Sequence, residues 1–417
     1  MTTSPLGWFG IIRLGLVQTA LGSIVVLTTS TLNRVMVIEL ALPAMVPGAL
    51  VGLHYALQVL RPRMGYGTDV GGRKTPWIIG GIMVLAVGGV IAAVATAWME
   101  TQRLGGIVLA TVGFLLIGVG VSAAGTALLV LLAKRVEASR RPAAATIVWL
   151  MMIAGFAITA ILAGHNLDPF SPTRLVAVAA VVSVLAVVVT IFAVAGIEGH
   201  DAIPTDTRHM MRAEPKPPFL EALRQVWAEP EARQFTIFVF VSMLAYSAQD
   251  LILEPFGGAV FAMTPGQSTK LGGIQHSGVF IGMVIVAVLG SAIGGRWFGS
   301  LKAWTVGGCI ASAASLLGLS AAGLVGGAWP IKANVFILGV CNGAFAIAAI
   351  ASMMMLASNG REQREGLRMG LWGAAQAIAF GIGGFTGTVA SDLARYFMGT
   401  ASTAYASVFA LEACVFL

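Results

Sequence analysis

The sequence predicts an all-α membrane protein of twelve transmembrane helices, arranged as two pseudo-symmetric six-helix bundles. Of the 417 residues, 57% are hydrophobic and only 10% are charged, whereas a soluble domain carries about 25% charged residues. Twelve apolar runs are long enough for spans, since about 20 residues cross about 30 Å of hydrocarbon. The second half also repeats the first: Gly125 in helix 4 corresponds to Gly343 in helix 10. Internal duplication of this kind is typical of transporters.

The apolar runs set the predicted helices and domains. We predict spans at 14–32, 43–61, 76–98, 105–132, 143–164, 174–195, 234–251, 278–295, 303–326, 332–356, 369–390 and 402–417. They divide the chain into an N-terminal half (1–196), a central loop (197–233) and a C-terminal half (234–417). The N-terminus lacks a basic segment and a cleavage site, so we expect the first helix to be retained. We expect the last helix to continue beyond Leu417.

The basic residues predict the orientation in the membrane. With the N-terminus inside, 19 of the 25 lysines and arginines fall in cytoplasmic segments, which is a strong positive-inside signal. Both termini are therefore predicted to be cytoplasmic. The net charge of +7 is spread over short loops, so we expect no nucleic-acid partner.

The central loop contains five prolines, which favour irregular structure. Between them, the segment FLEALRQVW places Phe219, Leu220, Leu223, Val226 and Trp227 on one helical face. This pattern predicts a short amphipathic helix on the membrane surface. A simple linker helix is the alternative.

A glycine-rich loop follows the second span. Residues 65–74 read G-x-x-x-D-x-x-G-R-K, with Gly65, Asp69, Gly72, Arg73 and Lys74 at the defining positions. This loop resembles the signature between helices 2 and 3 of the major facilitator superfamily. The resemblance implies a cytoplasmic lock in which the carboxylate holds the two halves together. The second copy, around 290–296, has Gly294 where the acid would stand.

The helices expected to line a central cavity are 1, 4, 7 and 10. Helix 4 offers only Thr111, Ser122 and Thr126, and helices 1 and 10 hold no acid. Proton-driven transporters commonly carry an acid in such a helix, because an ionisable group in lipid is costly and is kept for function. We therefore predict a cavity suited to a large apolar ligand, or to none.

Three blocks of sequence resemble the PucC/LhaA family of purple phototrophic bacteria, the bacteriochlorophyll-delivery branch of the major facilitators. The most specific is 13–77, and 250–263 and 373–387 are similar to the same family. The resemblance implies a membrane assembly factor for light-harvesting antenna (LH1 or LH2) that delivers or positions bacteriochlorophyll. It also implies the intracytoplasmic photosynthetic membrane as location, with antenna polypeptides, the reaction centre–LH1 complex and membrane lipid as partners.

Two residues are candidates for pigment or partner contact. His54 in helix 2 would be a ligand for the magnesium of bacteriochlorophyll, since neutral imidazole binds metals readily; a hydrogen-bonded packing residue is the alternative. Glu412 falls near mid-membrane in helix 12. Its carboxyl is either protonated and bonded to a neighbouring helix or offered to a partner.

Charged residues also cluster where helices 1 and 7 are predicted to end. Arg34 and Glu39 follow helix 1, and Asp250 and Glu254 lie one turn apart at the end of helix 7. Two acids at i,i+4 repel unless a cation joins them, so we predict an outer gate with Arg34 as their partner. A solvated rim is the alternative.

Two functions remain open from the sequence. The first is the antenna assembly factor, whose client helices would dock on the flanks formed by helices 3, 6, 9 and 12, where small residues allow close approach. The second is a secondary transporter of a lipophilic small molecule. We expect no enzyme, because no catalytic triad, phosphate-binding loop or metal-ligand cluster is found.

Overall fold

The architecture was examined in a computed structural model. It describes residues 6–61, 73–137, 140–198, 224, 227–289, 300–359 and 365–417. Within these ranges, ten helices are long and apolar enough to cross a membrane, and two shorter apolar helices accompany them. Together they make the twelve helices that the sequence predicts.

The helices are numbered in chain order. They are α1 (Trp8–Glu39), α2 (Met45–Ala56, continued by a 3-10 turn Leu57–Leu60), α3 (Thr75–Trp98), α4 (Arg103–Arg135), α5 (Arg141–Asn166), α6 (Pro172–Val194), α7 (Pro230–Phe261), α8 (Pro265–Leu289), α9 (Leu301–Val325), α10 (Ile331–Asn359), α11 (Glu365–Met398) and α12 (Ala401–Phe416). We call the end of the bundle that holds the α1–α2 and α7–α8 connections the predicted outer end.

Each half packs mainly within itself, and the halves meet along two long seams. In the first half α1 packs on α5 and α6, and α3 packs on α4; in the second, α7 packs on α11 and α12, and α8 on α10. The seams are α2 against α11 and α5 against α8. Glycine makes both seams possible: a Cβ on Gly48 would lie 2.1 Å from the Thr388 hydroxyl, and one on Gly164 2.6 Å from the Gly266 carbonyl. Close backbone approach of this kind requires small residues.

Within the described residues, five predicted boundaries are wrong by six residues or more. Two of them are the start of the first helix, at Trp8 rather than 14, and the end of the eleventh, at Met398 rather than 390. The first helix runs on from the predicted end at 32 to Glu39, and the seventh from 251 to Phe261. The eighth begins at Pro265 rather than at 278. Polar residues such as Arg34 and Glu254 suggest helix ends in the sequence, but they lie inside helices because the opposite half contacts them, Arg34 directly and Glu254 through Thr269. The boundaries of the central loop stay a prediction, since most of 197–233, including the predicted amphipathic helix, lies outside the described residues.

The last third of α1 contains two π-helical turns, Leu27–Thr31 and Val35–Glu39. A π turn rotates the residues that follow it around the helix and is frequent at functional sites. Residues 31–37 are buried all round the helix, in contact with α7 and α8 of the other half. The two halves are therefore joined at the predicted outer end by α1.

Small residues on the flank helices were expected to face a docking helix, but two of those on α3 face α4 instead. On α3, a Cβ on Gly81 would lie 2.6 Å from the backbone of Ala124, and one on Gly88 2.8 Å from that of Gly113. These glycines are used for packing α3 on α4 rather than for an outside partner. Two glycines on these flanks, Gly80 of α3 and Gly307 of α9, do face open space. The exposed surface instead carries large aliphatic side chains such as Met83, Ile310 and Leu411.

Candidate functional site between the two halves

The polar residues of the interior gather where α1 meets α7 and α8. We call this group the outer seal. It consists of Thr31, Asn33, Arg34 and Glu39 of α1, and Leu251, Glu254, Met263 and Thr269 of the C-terminal half.

Arg34 is the centre of the outer seal and is only 1% exposed. Its guanidinium forms a salt bridge with Glu39 and donates a 2.6 Å hydrogen bond to the Met263 carbonyl. The predicted ion pair with Asp250 or Glu254 is not formed. Glu39 takes that place because α1 continues past Arg34 and brings this carboxylate back onto it. Gly258 leaves room for the guanidinium, since a Cβ there would lie 3.1 Å from Nη2.

An open recess of about 630 Å³ lies over this pair at the predicted outer end. Arg34, Glu39 and Asp168 are among its lining residues. Asp168 accepts hydrogen bonds from the Thr264 hydroxyl at 2.7 Å and the Gly266 amide at 3.1 Å. These bonds tie the end of α5 to the start of α8, so the recess is closed off below by contacts between the halves.

Asn33 joins α1 to α7 through a carbonyl that its own helix leaves free. Pro255 lies inside α7 and has no N–H, so the carbonyl four residues before it, that of Leu251, loses its helical donor. The Asn33 side-chain amide donates to this carbonyl at 2.6 Å. A proline in one half is thus matched by an asparagine in the other.

Glu254 lies about one turn after Leu251 on α7 and is 2% exposed. One carboxyl oxygen accepts a long hydrogen bond, 3.4 Å, from Thr269, which also bonds to Thr31 at 3.2 Å. The other oxygen has no partner among the described residues. Gly272 makes space for it, because a Cβ there would come within 2.7 Å.

Asp250 does not lie at a helix end, as the sequence suggested, but inside α7. It is half-buried, and its electrostatic neighbours are Gln275, Tyr55 and Tyr246. The rings of Tyr55 and Tyr246 each approach Phe380, with centroids at 5.5 and 5.7 Å. An acid therefore lies inside α7, one of the helices expected to line the cavity.

Sequence reasoning missed this aromatic group around Asp250. The signal was available: GGAVFAM after Pro255 continues the apolar run. Read as helix, it would have placed Asp250 about three turns from the helix end.

Glu412 points into the C-terminal half and is 5% exposed, whereas its neighbour Leu411 is 60% exposed. The flank contact that we considered for Glu412 would need the opposite orientation. Both carboxyl oxygens lack a partner among the described residues. Asp250 is its electrostatic neighbour.

His54 and His276 do not fit the magnesium of a bacteriochlorophyll in this conformation. His54 is 1% exposed, its Nε2 lies 3.4 Å from the Gln58 amide, and its ring lies 4.7 Å from that of Tyr55. His276 lies mid-way along α8 and is 9% exposed, with Nδ1 bonded to the Gly272 carbonyl at 2.8 Å. A flat macrocycle needs an open face at the ligating nitrogen, and neither imidazole offers one.

The predicted cytoplasmic lock is described only in part. Gly65, Asp69 and Gly72 lie outside the described residues; Arg73 is exposed and Lys74 is buried. Next to them the sequence missed Glu198, whose carboxylate accepts hydrogen bonds from the backbone amides of Lys74 and Thr75 at the start of α3. Burial raises the pKa of Glu198, but these backbone hydrogen bonds outweigh it and hold the pKa below its usual range. Glu198 therefore fixes the α3 end of the lock loop as an anion.

Solved structures similar to this chain show its fold. A peptide transporter of the POT family matches with a TM-score of 0.71 and 13% identity, over 99% of this chain and 95% of that one. A D-xylose–proton symporter matches with a TM-score of 0.67 and 13% identity, over 97% and 96%. The predicted twelve-helix major facilitator fold is confirmed.

Relatives in sequence show the family. The chain is 52% identical to the "Bacteriochlorophyll synthase 44.5 kDa chain" of Rhodobacter capsulatus, over 99% of this chain and 94% of the relative. It is 28% identical to "Protein PucC" of the same species, over 98% and 90%. Residues 31–417 match the family described as PUCC protein. The chain is therefore a member of the PUCC protein family.

Proposed function

We propose that this chain is a membrane assembly factor for bacterial light-harvesting antenna complexes, and that it delivers or positions bacteriochlorophyll during their assembly. The observation that carries the proposal is the 52% identity, over nearly the whole chain, with a protein named for bacteriochlorophyll synthesis. Relatives named PucC in three purple bacteria support it. Family membership and an apolar, multi-helix surface agree with work inside the bilayer.

The lipid-facing flanks of the bundle are the surfaces where antenna polypeptides, the clients of an assembly factor, would bind. Antenna polypeptides are single helices in the same bilayer, so they reach the protein from the lipid. The flanks there offer exposed aliphatic side chains, with Met83, Ile310 and Leu411 between 52% and 60% exposed. Helices packing in lipid gain mainly from van der Waals contact. We therefore propose docking on these flanks, with pigment at the seam between chaperone and client.

The test is the absorption spectrum of the gently purified protein. Tagged full-length chain, taken from membranes of a pigment-producing phototroph, is expected to carry a near-infrared bacteriochlorophyll band and antenna polypeptides. A second multi-pass protein with the same tag, purified from the same membranes, is the control. Pigment and antenna at no more than the control level would overturn the proposal.

The second candidate function is a secondary transporter of a lipophilic small molecule. Asp250 favours it, because this half-buried acid lies inside α7 and has Tyr55 and Tyr246 as electrostatic neighbours. An ion gradient that drives uptake into vesicles lacking any photosynthetic protein would support the transporter. Absence of such flux, with antenna bound, would support the assembly factor.

A further inference from the structure

Two carboxyl groups of the C-terminal half lie inside the membrane without a cation. Asp250 belongs to α7 and Glu412 to α12, and these helices pack on each other. Glu412 is 5% exposed, and neither of its oxygens has a hydrogen-bond partner in the described part of the chain. A buried carboxylate without a partner costs far more free energy than the protonated group in the same place. In a membrane interior such a residue is kept for a purpose.

The groups around the two acids supply no positive charge. Tyr246 on the same helix, Tyr55 from α2 and Gln275 from α8 face Asp250, and Glu412 faces it from α12. Nearby cations act elsewhere: Arg34 is bound to Glu39 and Met263, and Arg61 acts on His54 and Tyr55. No described lysine, arginine or histidine forms a salt bridge with either acid.

Two acids that influence each other in such surroundings do not both ionise. The negative charge of one disfavours that of the other, so the pair takes up protons in two coupled steps. The two members differ in access. Asp250 is half-buried, while Glu412 is enclosed. A proton on the pair is therefore held either at the half-buried carboxyl or at the enclosed one.

We propose that Asp250 and Glu412 form a proton-binding site in the interior of the C-terminal half. The ligand is a proton shared by the two carboxyl groups. This inference goes beyond the proposed function and does not depend on it, since an assembly factor needs no bound proton.

Asp250 lies next to a residue that bonds the two halves together. Asp250 precedes Leu251, whose carbonyl accepts the hydrogen bond from Asn33 of α1. Glu254, one turn on, belongs to the outer seal. A proton arriving at Asp250 therefore changes the charge within one turn of the bonds that hold the halves together.

The experiment is infrared difference spectroscopy of the full chain in lipid nanodiscs during a pH titration. A protonated carboxyl has a C=O stretching band that a carboxylate lacks and that shifts in heavy water. We expect Glu412→Gln to remove one such component. Asp250→Asn should remove another and shift the midpoint of the remaining one by about one pH unit, as coupled sites require.

The control is Glu137→Gln, an exposed acid paired with Arg140, which should leave these bands unchanged. Size-exclusion elution and circular dichroism establish that each variant is folded, and the wild-type titration alone shows whether buried protonated carboxyls exist. Wild-type protein without such bands would overturn the proposal, as would bands that survive in both folded variants. Exchange of sodium for potassium at fixed pH that moves the bands would also overturn it, because it would indicate a metal-cation site.

Discussion

The hydrogen bond between the Asn33 side chain and the Leu251 carbonyl is the contact of the outer seal that a single substitution tests best. Asn33 is 1% exposed and donates at 2.6 Å to a carbonyl that Pro255 deprives of its helical donor. Asn33→Ala would leave that carbonyl buried and unpaired, which costs about 1–3 kcal/mol. Measured interhelical hydrogen bonds in membranes are weaker, up to about 1.7 kcal/mol. We therefore expect a loss of about 1–2 kcal/mol in the free energy of unfolding, measured in mixed micelles with SDS.

The role of the proline can be tested in the same assay with a double-mutant cycle. Pro255→Ala restores an N–H that can donate to the Leu251 carbonyl, so Asn33→Ala should cost less in that background. The coupling energy between the two sites should reach about 1 kcal/mol, well above the scatter for independent sites. Asn342 is the matched control: its side chain accepts from Ser312 at 2.8 Å, and Asn342→Ala should add to Pro255→Ala. Full additivity of Asn33→Ala and Pro255→Ala would refute the reasoning.

Three further predictions concern the other contacts. Gly272→Ala places a Cβ 2.7 Å from Glu254 and should lower the free energy of unfolding by about 1–3 kcal/mol through overpacking. Gly80→Ala, whose new Cβ meets open space, should leave the free energy of unfolding almost unchanged. Equal effects of the two variants would contradict the contact. The pKa of Glu198 is lowered in the folded state, so its stabilising effect should be complete above the ordinary carboxyl pKa and be lost as the pH falls through the lowered value. Glu198→Gln should therefore flatten the acid side of the plot of unfolding free energy against pH. An unchanged plot would count against the cap on α3. Glu39→Gln should weaken the salt bridge to Arg34. A water-soluble maleimide should then label a cysteine placed at Thr31 faster than it labels the same cysteine with Glu39 intact. Equal labelling would mean that this pair does not close the predicted outer end.

The sequence was sufficient for the fold because apolar runs and glycine-rich turns report it directly. The twelve spans follow from patterns that a lipid environment imposes on each helix separately, whereas the family follows from the resemblance of residues 13–77, 250–263 and 373–387. The site was less predictable, because its polar residues are satisfied by the other half. Asn33, Arg34 and Glu254 look like helix ends in sequence, yet each lies inside a helix. Their partners include a backbone carbonyl, a threonine and Glu39, and no local pattern names such partners.

Orientation inside a helix was the second difficulty. Glu412 and Leu411 are neighbours in sequence, but one faces the bundle and the other faces outward. Hydrophobicity varies too little around these helices to reveal which side is lipid-facing. The same holds for Gly81 and Gly88, whose role in packing α3 on α4 depends on the position of α4. Packing between helices decides these points.

The central claim is that an antenna helix docks on a lipid-facing flank of this protein, and site-specific photocrosslinking tests it most directly. A photoreactive amino acid at Met83, Ile310 or Leu411, each at least half exposed, would be activated in membranes that are assembling antenna. Positions Tyr55 and Tyr246, which lie inside the bundle beside Phe380, serve as matched interior controls. We predict antenna polypeptides crosslinked from one or more flank positions and none from the interior. Capture from the interior positions alone would contradict the account, because the client would then pass between the two halves.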